Sequence, residues 1–533
     1  MAIADFDVKL NQLQAAGFFN SIEIHRGIEK ESLRVDSSGC ISKTDHPKSL
    51  GSPLTNPSIT TDFAESLIEL VTPTFSSVDD LYEYLLQLHV FVSRNLEGET
   101  LWPYSMPPRI ENEDSIKLAK YSDTKNGKIK EVYRRGLKER YGSSMQCIAG
   151  IHFNFSLSQT SLSFLSNTNE QKDIDEAYLG LIRNFKRYYW FILSVFGASP
   201  VVDKTFLNGK SHSLEKFGEE NYYLPYSTSL RMSDLGYKSF AQKNMDIRYD
   251  SLSEFLAKIR DAILTPYKKF EDIGLKDNKE WLQISTGRLQ IENEYYDSIR
   301  PKRVGRDGLR PHEVLVSDGI EYVEVRGIDL SPNEPVGISK DQIRLVDLVL
   351  LFCIISDSPK INGDEMLQIK QTEKNVVDIG NNKACEVFSN GAKMNISEAK
   401  KDITIELEKI AKCMPEKEKY LRALNCITNR NGILKSLNHG EISFSEYGLL
   451  TSKLHGSYFD SLSNIDLLSF EEEANASLMN FDKLSKDNIE DIEEDMNKNI
   501  SINSKSKSKK VKGSSGTTTS TGEQKKTLKQ RKK

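Results

Sequence analysis

Residues 319–329 read GIEYVEVRGID, and two other stretches, GIEKESLRV at 27–35 and GIHFNF at 150–155, share its alternation of side chains. Strand side chains point alternately to the two faces of a sheet, so residues at i and i+2 share a face. Each stretch thereby places two polar residues together, and the pairs are Glu29 with Glu31, His152 with Asn154, and Glu324 with Arg326. We expect a sheet with one apolar face and one face that carries carboxylates, an imidazole and a guanidinium. We interpret that second face as the cation-binding floor of an active site.

The segments around these strands predict an α+β fold. Residues 81–95 and 174–196 have the periodicity of amphipathic helices, and residues 289–296 have the pattern of a strand. From about residue 341 onward the pattern is mostly helical. The longest apolar run, 348–355, is too short to span a bilayer and is typical of a buried helix.

The end of the chain differs in composition from the rest. We expect a single catalytic domain over residues 1–480, sheet-rich to about 340 and helical beyond, followed by an acidic and then basic disordered tail over 481–533. Residues 501–533 carry eleven Lys and Arg against one acid, so the net charge of −5 hides a body near −15. An acidic body favours bound divalent cations. For the tail, a solvated extension is preferred over a nucleic-acid contact.

Cysteine usage indicates a reducing compartment. The six cysteines form no CxxC pair and have no zinc-like spacing, and the start MAIADFDVKL has no secretory character. We expect reduced thiols and a cytoplasmic protein that does not enter a membrane.

Each polar pair also has a structural interpretation. Glu29 and Glu31 could belong to an exposed edge strand, His152 could be a satisfied core histidine, and Glu324 with Arg326 could be paired cross-strand charges. The segment ITTDFAESLIELVTP at 59–73 is ambiguous. A helix would put Asp62 and Glu69 on one face, and a strand would give Glu65 and Glu69 alternating positions.

Taken jointly, the acidic residues favour a metal site. Carboxylates that cluster without cations repel one another, whereas Mg²⁺ prefers such oxygens and shares its coordination shell with phosphates. Arg326, on the face of Glu324, is the candidate to stabilise a transferred phosphoryl group. The predicted ligands are Glu29, Glu31, Asp62, Glu69, His152 and Glu324.

Two segments that mix arginine with tyrosine, residues 133–148 and 221–237, indicate substrate recognition. Guanidinium groups match carboxylates, and aromatic walls suit a small side chain. The structural alternative is tyrosine packing with surface arginines. The chain has neither GxxxxGK[ST] nor GxGxxG, so a nucleotide would bind through its metals.

In this order the chain contains GIEKESLRV, TTDFAESLIELVTP, LWPYSMPP, RYGSSMQCIAGIHFNFS, FGASP, YYLPYSTSLRMSDLGY, LQIENEYYDSIRPKR and GIEYVEVRGIDLSP. This collinear set resembles the bacterial glutamate–cysteine ligases. The resemblance implies a glutamine-synthetase-like curved antiparallel sheet that forms a funnel backed by helices. It also implies ATP-dependent ligation of L-glutamate to L-cysteine through γ-glutamyl phosphate, the first step of glutathione synthesis.

The resemblance further implies roles for residues at matching positions. Glu324 and Arg326 would be catalytic, and the six predicted ligands would bind Mg²⁺ or Mn²⁺. Arg134 and Arg231 would hold substrate carboxylates, and Asn154 would contact substrate. The pocket for the cysteine side chain would be lined by Phe63, Tyr133, Leu137, Gln146, Ile148, Tyr237 and Tyr296. A monomer and feedback inhibition by glutathione are family expectations.

Cys147 departs from the family pattern, in which threonine or serine is expected. Its thiol is either oxidisable or a small core residue, and we prefer the second interpretation. Two other functions remain open, namely a ligase of the same fold that uses a different amine and a catalytically silent binding protein.

Overall fold

The stretch GIEKESLRV extends in both directions into a twelve-residue strand, Ile24–Val35 (β1), in the computed structural model of the chain. The structure describes residues 3–166, 168–236, 239–306, 309–428, 433–437 and 440–484. The predicted tail therefore lies outside the described residues from position 485 onward. Tyr237, one of the predicted pocket residues, lies outside them as well.

β1 is at the centre of an antiparallel sheet in which the three polar pairs lie on neighbouring strands. The other strands of this sheet are β2 (Ile59–Thr61), β3 (Leu67–Val71), β4 (Thr100–Leu101), β5 (Ile151–Leu157), β11 (Ile299–Lys302) and β12 (Tyr322–Ile328). Their spatial order is β11-β12-β5-β1-β3-β2, and β4 pairs with the end of β1. The expected antiparallel sheet is confirmed.

Short two- and three-stranded sheets lie outside the main one. Their strands are β6 (Val201–Asp203), β7 (Glu215–Phe217), β8 (Asn221–Tyr223), β9 (Lys276–Asp277), β10 (Glu280–Trp281), β13 (Glu386–Ser389) and β14 (Ala392–Asn395).

Helices pack against one face of the main sheet, which we call the helix-covered face; the other we call the polar face. The helices before position 320 are α1 (Ile3–Ala15), α2 (Phe18–Ser21), α3 (Val78–Arg94), α4 (Lys125–Tyr141), α5 (Ser143–Gln146), α6 (Gln159–Leu162), α7 (Gln171–Phe196), α8 (Lys204–Leu207), α9 (Leu252–Leu264), α10 (Lys268–Ile273) and α11 (Pro311–Asp318). Those after it are α12 (Lys340–Ile355), α13 (Gly363–Ile379), α14 (Ile396–Cys413), α15 (Lys417–Ala423), α16 (Ile433–Ser436), α17 (Phe444–Ser461) and α18 (Leu468–Asp482).

The helices predicted from periodicity are present, and the hydrophobic core explains their positions. α7 packs against β11, β12, α12 and α13, while α12 also packs against α3, α14 and α15. The apolar run 348–355 lies in α12 and is buried. Among the described residues, none of the helices is long and apolar enough to cross a membrane.

One local prediction is wrong, and the structure resolves one segment that the sequence left ambiguous. Residues 289–296 contain a short 3₁₀ turn, Glu292–Glu294, and the strand of this region is β11 instead. The ambiguous segment 59–73 is neither one helix nor one strand but a hairpin of β2 and β3, in which Asp62 lies in the connection. A reversal between the two strands breaks any single periodicity, which is why the pattern was ambiguous.

The helix-covered face of β1 is less apolar than expected. Arg26, Lys30 and Arg34 alternate with the polar-face carboxylates and are each at most 3% exposed. Arg26 donates from Nε to Asp347 of α12 at 2.9 Å, and Arg34 donates to Glu99 at 2.5 Å. The covered face is therefore apolar on β5 and β12 but contains paired charges on β1.

Candidate active site

Strand register brings the predicted polar pairs together on the polar face. Glu29 of β1 is opposite His152 of β5, and Asn154 of β5 is opposite Glu324 of β12. On the other side of β1, Glu31 is opposite Glu69 of β3. Directly opposed residues in an antiparallel pair have Cβ atoms about 5 Å apart, so their side chains interact.

Glu29, His152 and Glu324 form one cluster. A potential ligand atom from each of the three lies within 4.8 Å of the other two. His152 Nδ1 is 3.1 Å from Glu29 Oε2, and Asn154 donates from Nδ2 to Glu29 Oε1 at 3.0 Å. Burial disfavours the charged form of Glu29, but the hydrogen bond with His152 and the charges of His152 and Lys302 together outweigh it and lower the pKa of the carboxyl. The edge-strand interpretation of Glu29 is wrong, because β1 is central.

A second group of carboxylates, Glu31, Glu69 and Asp62, lies on the other side of β1. Burial raises the pKa of Glu31, with a further contribution from Asp62. Burial together with the charges of Glu29, Asp62 and Glu31 raises the pKa of Glu69 well above its ordinary value. His152 connects the two groups, because its Nε2 is 3.6 Å from Glu31 Oε1. The protein's own cations do not balance the second group.

Glu324 has three cationic neighbours, and two of them were missed in the sequence. Arg300 donates to Glu324 Oε2 from Nε at 3.1 Å and from NH2 at 2.7 Å, and Lys302 Nζ is 3.5 Å from Oε1. Burial disfavours the ionised Glu324, but these cations and Arg326 hold its pKa well below the usual range. The sequence SIRPKR at 298–303 could have indicated these two cations. Arg300 and Lys302 are two positions apart, as Glu324 and Arg326 are, so they would share one face of a strand.

Arg326 lies where β12 departs from regular pairing. The register with β5 shifts between Val325 and Ile328, and such bulges re-aim side chains near functional sites. Arg326 NH1 is 3.4 Å from Glu324 Oε2, so the predicted common face is confirmed. The next residue is glycine because a Cβ at Gly327 would lie 1.9 Å from the hydroxyl of Tyr189, which donates to the Gly327 carbonyl at 3.0 Å.

Arg231 lies beneath Arg326. It is 1% exposed, its NH2 donates to the Arg326 carbonyl at 2.7 Å, and its NH1 is 3.7 Å from Asp329 Oδ1. The guanidinium packs against Gly150, where a Cβ would be 2.2 Å from NH2. Arg231 therefore positions the backbone of Arg326 in this structure, and its predicted contact with a substrate carboxylate stays a prediction.

Arg134 lies beside the second carboxylate group. Its guanidinium donates to the carbonyls of Asp62 and Thr61 and is 4.0 Å from Asp62 Oδ1. It also stacks 4.7 Å from the centre of the Tyr121 ring. The arginine thereby fixes the β2–β3 connection that presents Asp62 to the site, and its contact with substrate is not tested.

The residues predicted to line the cysteine pocket fall into two sets. Gln146 and Tyr296 contact each other, with Nε2 donating to the tyrosine hydroxyl at 3.2 Å. Tyr133 is half-buried on α4. Phe63, Leu137 and Ile148 are 1%, 5% and 3% exposed and belong to the hydrophobic core. The first set offers polar atoms that a ligand could contact, whereas the second is apolar and buried.

Cys147 is fully buried between these residues. Burial, with the nearby charges of Glu113 and Asp62, raises the pKa of its thiol far above the ordinary value. The preferred interpretation, a small core residue, agrees with this environment.

The donor set on the polar face fits a hard divalent cation. It offers oxygens from five carboxylates and a nitrogen from one imidazole, and the amide oxygen of Asn154 is buried without a hydrogen-bond partner among the described residues. Mg²⁺ and Mn²⁺ take such oxygen-rich sets, and Mg²⁺ retains water or phosphate oxygens as further ligands. The absence of a cysteine cluster disfavours a structural zinc site within the described residues.

Comparison with known proteins identifies glutamate–cysteine ligases among the relatives of this chain. The glutamate–cysteine ligase family model matches residues 10–376. A glutamate–cysteine ligase of Hahella chejuensis is 49% identical over 357 residues, 66% of this chain and 68% of the relative. One from Pseudomonas paraeruginosa is 41% identical over 484 residues, 87% of this chain and 92% of the relative.

A solved structure is similar over nearly the whole described fold. The crystal structure of a glutamate–cysteine ligase from Francisella tularensis in complex with AMP superposes with a TM-score of 0.84 at 32% identity. The match covers 92% of this chain and 99% of that one.

Proposed function

The chain belongs to the glutamate–cysteine ligase family, and we propose that the polar face of its sheet is the site where glutamate, cysteine and ATP react. The enzyme is an ATP-dependent ligase that joins the γ-carboxyl group of L-glutamate to the amine of L-cysteine, giving γ-glutamylcysteine, ADP and phosphate. The observation that carries the site proposal is the convergence of Glu29, His152 and Glu324 from three neighbouring strands within 4.8 Å.

We propose that Glu29, His152 and Glu324 bind one cation and that Glu31, Asp62 and Glu69 bind another. Bound Mg²⁺, or Mn²⁺, neutralises the repulsion between the glutamate γ-carboxylate and the phosphates of ATP. Two observations support the division: Arg300 and Lys302 favour the ionised form of Glu324, whereas burial and the neighbouring carboxylates disfavour the ionised form of Glu69.

The chain's own cations then act on the phosphoryl group. Arg326, 11% exposed beside Glu324, is placed to donate to the oxygens of the transferred phosphoryl group as the carboxylate attacks it. Arg231 holds the backbone of Arg326 in place. Burial of γ-glutamyl phosphate in the site would limit its hydrolysis before the cysteine amine displaces phosphate.

Selection of cysteine is proposed to depend on Gln146 and Tyr296 in front of the apolar wall formed by Phe63, Leu137 and Ile148. A polar pair beside small apolar side chains suits the –CH₂SH side chain of cysteine, whose α-amine must remain free to react. Tyr133, Tyr237 and Asn154 complete the proposed substrate contacts.

We further propose one catalytic domain over residues 1–480, a monomer in the cytoplasm, and glutathione as an inhibitor that competes for the substrate pocket. The six cysteines are free thiols, which supports a reducing compartment.

The test is ADP release by purified protein with ATP, Mg²⁺ and L-glutamate, with and without L-cysteine, together with mass spectrometry of the product. Cysteine-dependent release with a γ-linked dipeptide supports the proposal. Glutamate-dependent ADP release without that dipeptide would point to a different amine. No release from folded, Mg²⁺-loaded protein would contradict the site.

A further inference from the structure

A cavity of about 310 Å³ lies among the helices, and none of its lining residues belongs to the candidate active site. It is enclosed by α7, the C-terminal end of α12, α13, α14 and the β13–β14 hairpin. Its volume is at the lower end of the range of about 300–1,000 Å³ that small-molecule sites occupy.

Aromatic rings form much of the wall. Phe352 makes edge contacts with Phe6 at 5.2 Å and with Tyr188 at 5.0 Å between ring centres, and Phe388 completes the lining. The negative face of such rings attracts cations, and their surfaces cover an apolar body.

The charges of the cavity are strongly biased. Four carboxylates line it against one cation, Arg187, whose guanidinium is engaged by Glu365 at 2.6 Å and by the Pro359 carbonyl at 2.8 Å. Glu406 is paired with Lys409. Asp402 is half-buried and makes no hydrogen bond or ion pair with any other described residue. An anionic ligand would meet net repulsion here, whereas an ammonium group would find Asp402 available.

An unsatisfied hydroxyl provides an independent indication of a ligand. Ser389 is 4% exposed, lines the cavity, and its Oγ has no hydrogen-bond partner among the described residues. A buried hydroxyl left unpaired costs about 1–3 kcal/mol, so native proteins rarely leave one without a partner. Ser389 precedes the hairpin turn at Asn390 and Gly391, which have positive φ angles of 51° and 80°. The Tyr188 hydroxyl donates a hydrogen bond to Asn390 Oδ1 and thereby fixes the turn beside the cavity.

We propose that this cavity is a second ligand site, which binds a small protonated amine with an aromatic or apolar body. The ammonium group would pair with Asp402, the body would pack on Phe352 and Tyr188, and a polar substituent would satisfy Ser389.

The probe for the test is tyramine, an aromatic primary amine, measured by ligand-observed NMR and calorimetry on the full-length protein. The matched probes are 2-(4-hydroxyphenyl)ethanol, which lacks the charge, and 3-(4-hydroxyphenyl)propionate, which reverses it. We expect a dissociation constant at or below about 1 mM for tyramine. Both matched probes should bind at least about tenfold more weakly, which corresponds to about 1.4 kcal/mol, because neither can form an ion pair with Asp402.

Variants separate this cavity from the active site. Asp402→Asn should weaken tyramine at least about tenfold, whereas Glu398→Gln, on an exposed acid of the same helix, should not. Arg326→Ala, in the candidate active site, should leave the affinity for tyramine unchanged, because none of the residues that line the cavity belongs to that site. Ser389→Leu should fill the cavity and abolish binding, with thermal unfolding as the check of folding. Undetectable tyramine binding, equal binding of the uncharged probe, or an unaffected Asp402→Asn protein would overturn the proposal.

Discussion

On the polar face of β1, Glu31 is directly opposite Glu69, whereas on the helix-covered face of the same strand Arg26 is paired with Asp347. Both pairs are buried or nearly so, but the first brings like charges together and the second opposite ones. Tyr420 donates to Asp347 and accepts from Arg26, so the covered pair is satisfied within the protein. The polar pair is left for a ligand to neutralise.

Lys30 of β1 and His89 of α3, a helix that packs against β1, have no carboxylate partner among the described residues, although His89 Nδ1 is 2.7 Å from the Leu85 carbonyl. Burial lowers the pKa of Lys30 to about 7 and that of His89 well below its ordinary value. One strand thus pairs charges within the protein on one face and presents unbalanced carboxylates on the other, where we propose that the reaction occurs. The contrast teaches that unbalanced buried charge, more than burial or charge alone, distinguishes the functional face.

The largest effect is expected from Arg326→Ala, which removes the cation that faces the transferred phosphoryl group. We expect ADP formation to fall by about 10³-fold or more, as for other charge-stabilising groups in phosphoryl transfer. The thermal unfolding midpoint should change little. Arg306→Ala, on an exposed arginine outside the site, is the control. Near-normal turnover by folded Arg326→Ala protein would contradict the assignment of the polar face.

Glu324 is best tested with a substitution that preserves its size and its hydrogen-bond acceptor. Its loss would leave Arg300, 5% exposed, without its counter-charge, so both activity and stability should fall. Glu324→Gln retains an acceptor for Arg300, and it should lose turnover with a smaller loss of stability than Glu324→Ala.

The next effect concerns the covered face. Asp347→Asn leaves Arg26 buried without a counter-charge, so the free energy of unfolding should fall by about 3 kcal/mol. Activity per folded molecule should stay close to normal, because Asp347 does not reach the polar face. Denaturant titration and ADP release measure the two quantities. In Arg26→Met/Asp347→Leu, most of the lost stability should return, and a double variant as unstable as Asp347→Asn would show that the pair itself is not responsible.

A pH effect should follow from His89. The unfolded chain binds a proton at His89 below about pH 6.5, while the folded chain binds it only at much lower pH because the ring is buried. The unfolded state therefore binds more protons in this interval, and stability is lost as the pH falls. Between pH 6.5 and pH 5 we expect a loss of about 2 kcal/mol from this group.

His89→Leu should remove that acid-dependent loss, as measured by urea unfolding at several pH values. The matched control is His25→Leu, because His25 of β1 is partly exposed whereas His89 of α3 is buried. A wild-type slope in His89→Leu would place the acid sensitivity elsewhere, for example in the carboxylates of the polar face.

Period-two alternation was sufficient to predict which side chains share the polar face, because β1 and β5 are regular over their polar pairs. In β12 the register shifts only after Val325, and Arg326 still lies beside Glu324. It could not predict the covered face of β1, since the partners of Arg26 and Arg34 come from α12 and a distant loop. The roles of Arg300 and Lys302 depend on the pairing of β11 with β12, which local sequence does not specify. Arg231 illustrates the same limit, because its burial beneath Arg326 depends on close packing against Gly150, which immediately precedes β5.

The smallest effect is expected at Cys147, which lies next to the polar face but belongs energetically to the core. Its thiol is fully buried, and the neighbouring charges are acidic, so nothing in its surroundings stabilises a thiolate. Cys147→Ser should keep turnover within about twofold of the wild type, since the residue touches no proposed ligand, and Cys147 should resist thiol reagents in the native state. Cys413, which is partly exposed, is the internal comparison for labelling followed by mass spectrometry. Rapid modification of Cys147 with loss of activity would show that the proposed active site includes this thiol. Protection of Cys147 would support a site that consists of the groups on β1, β3, β5 and β12.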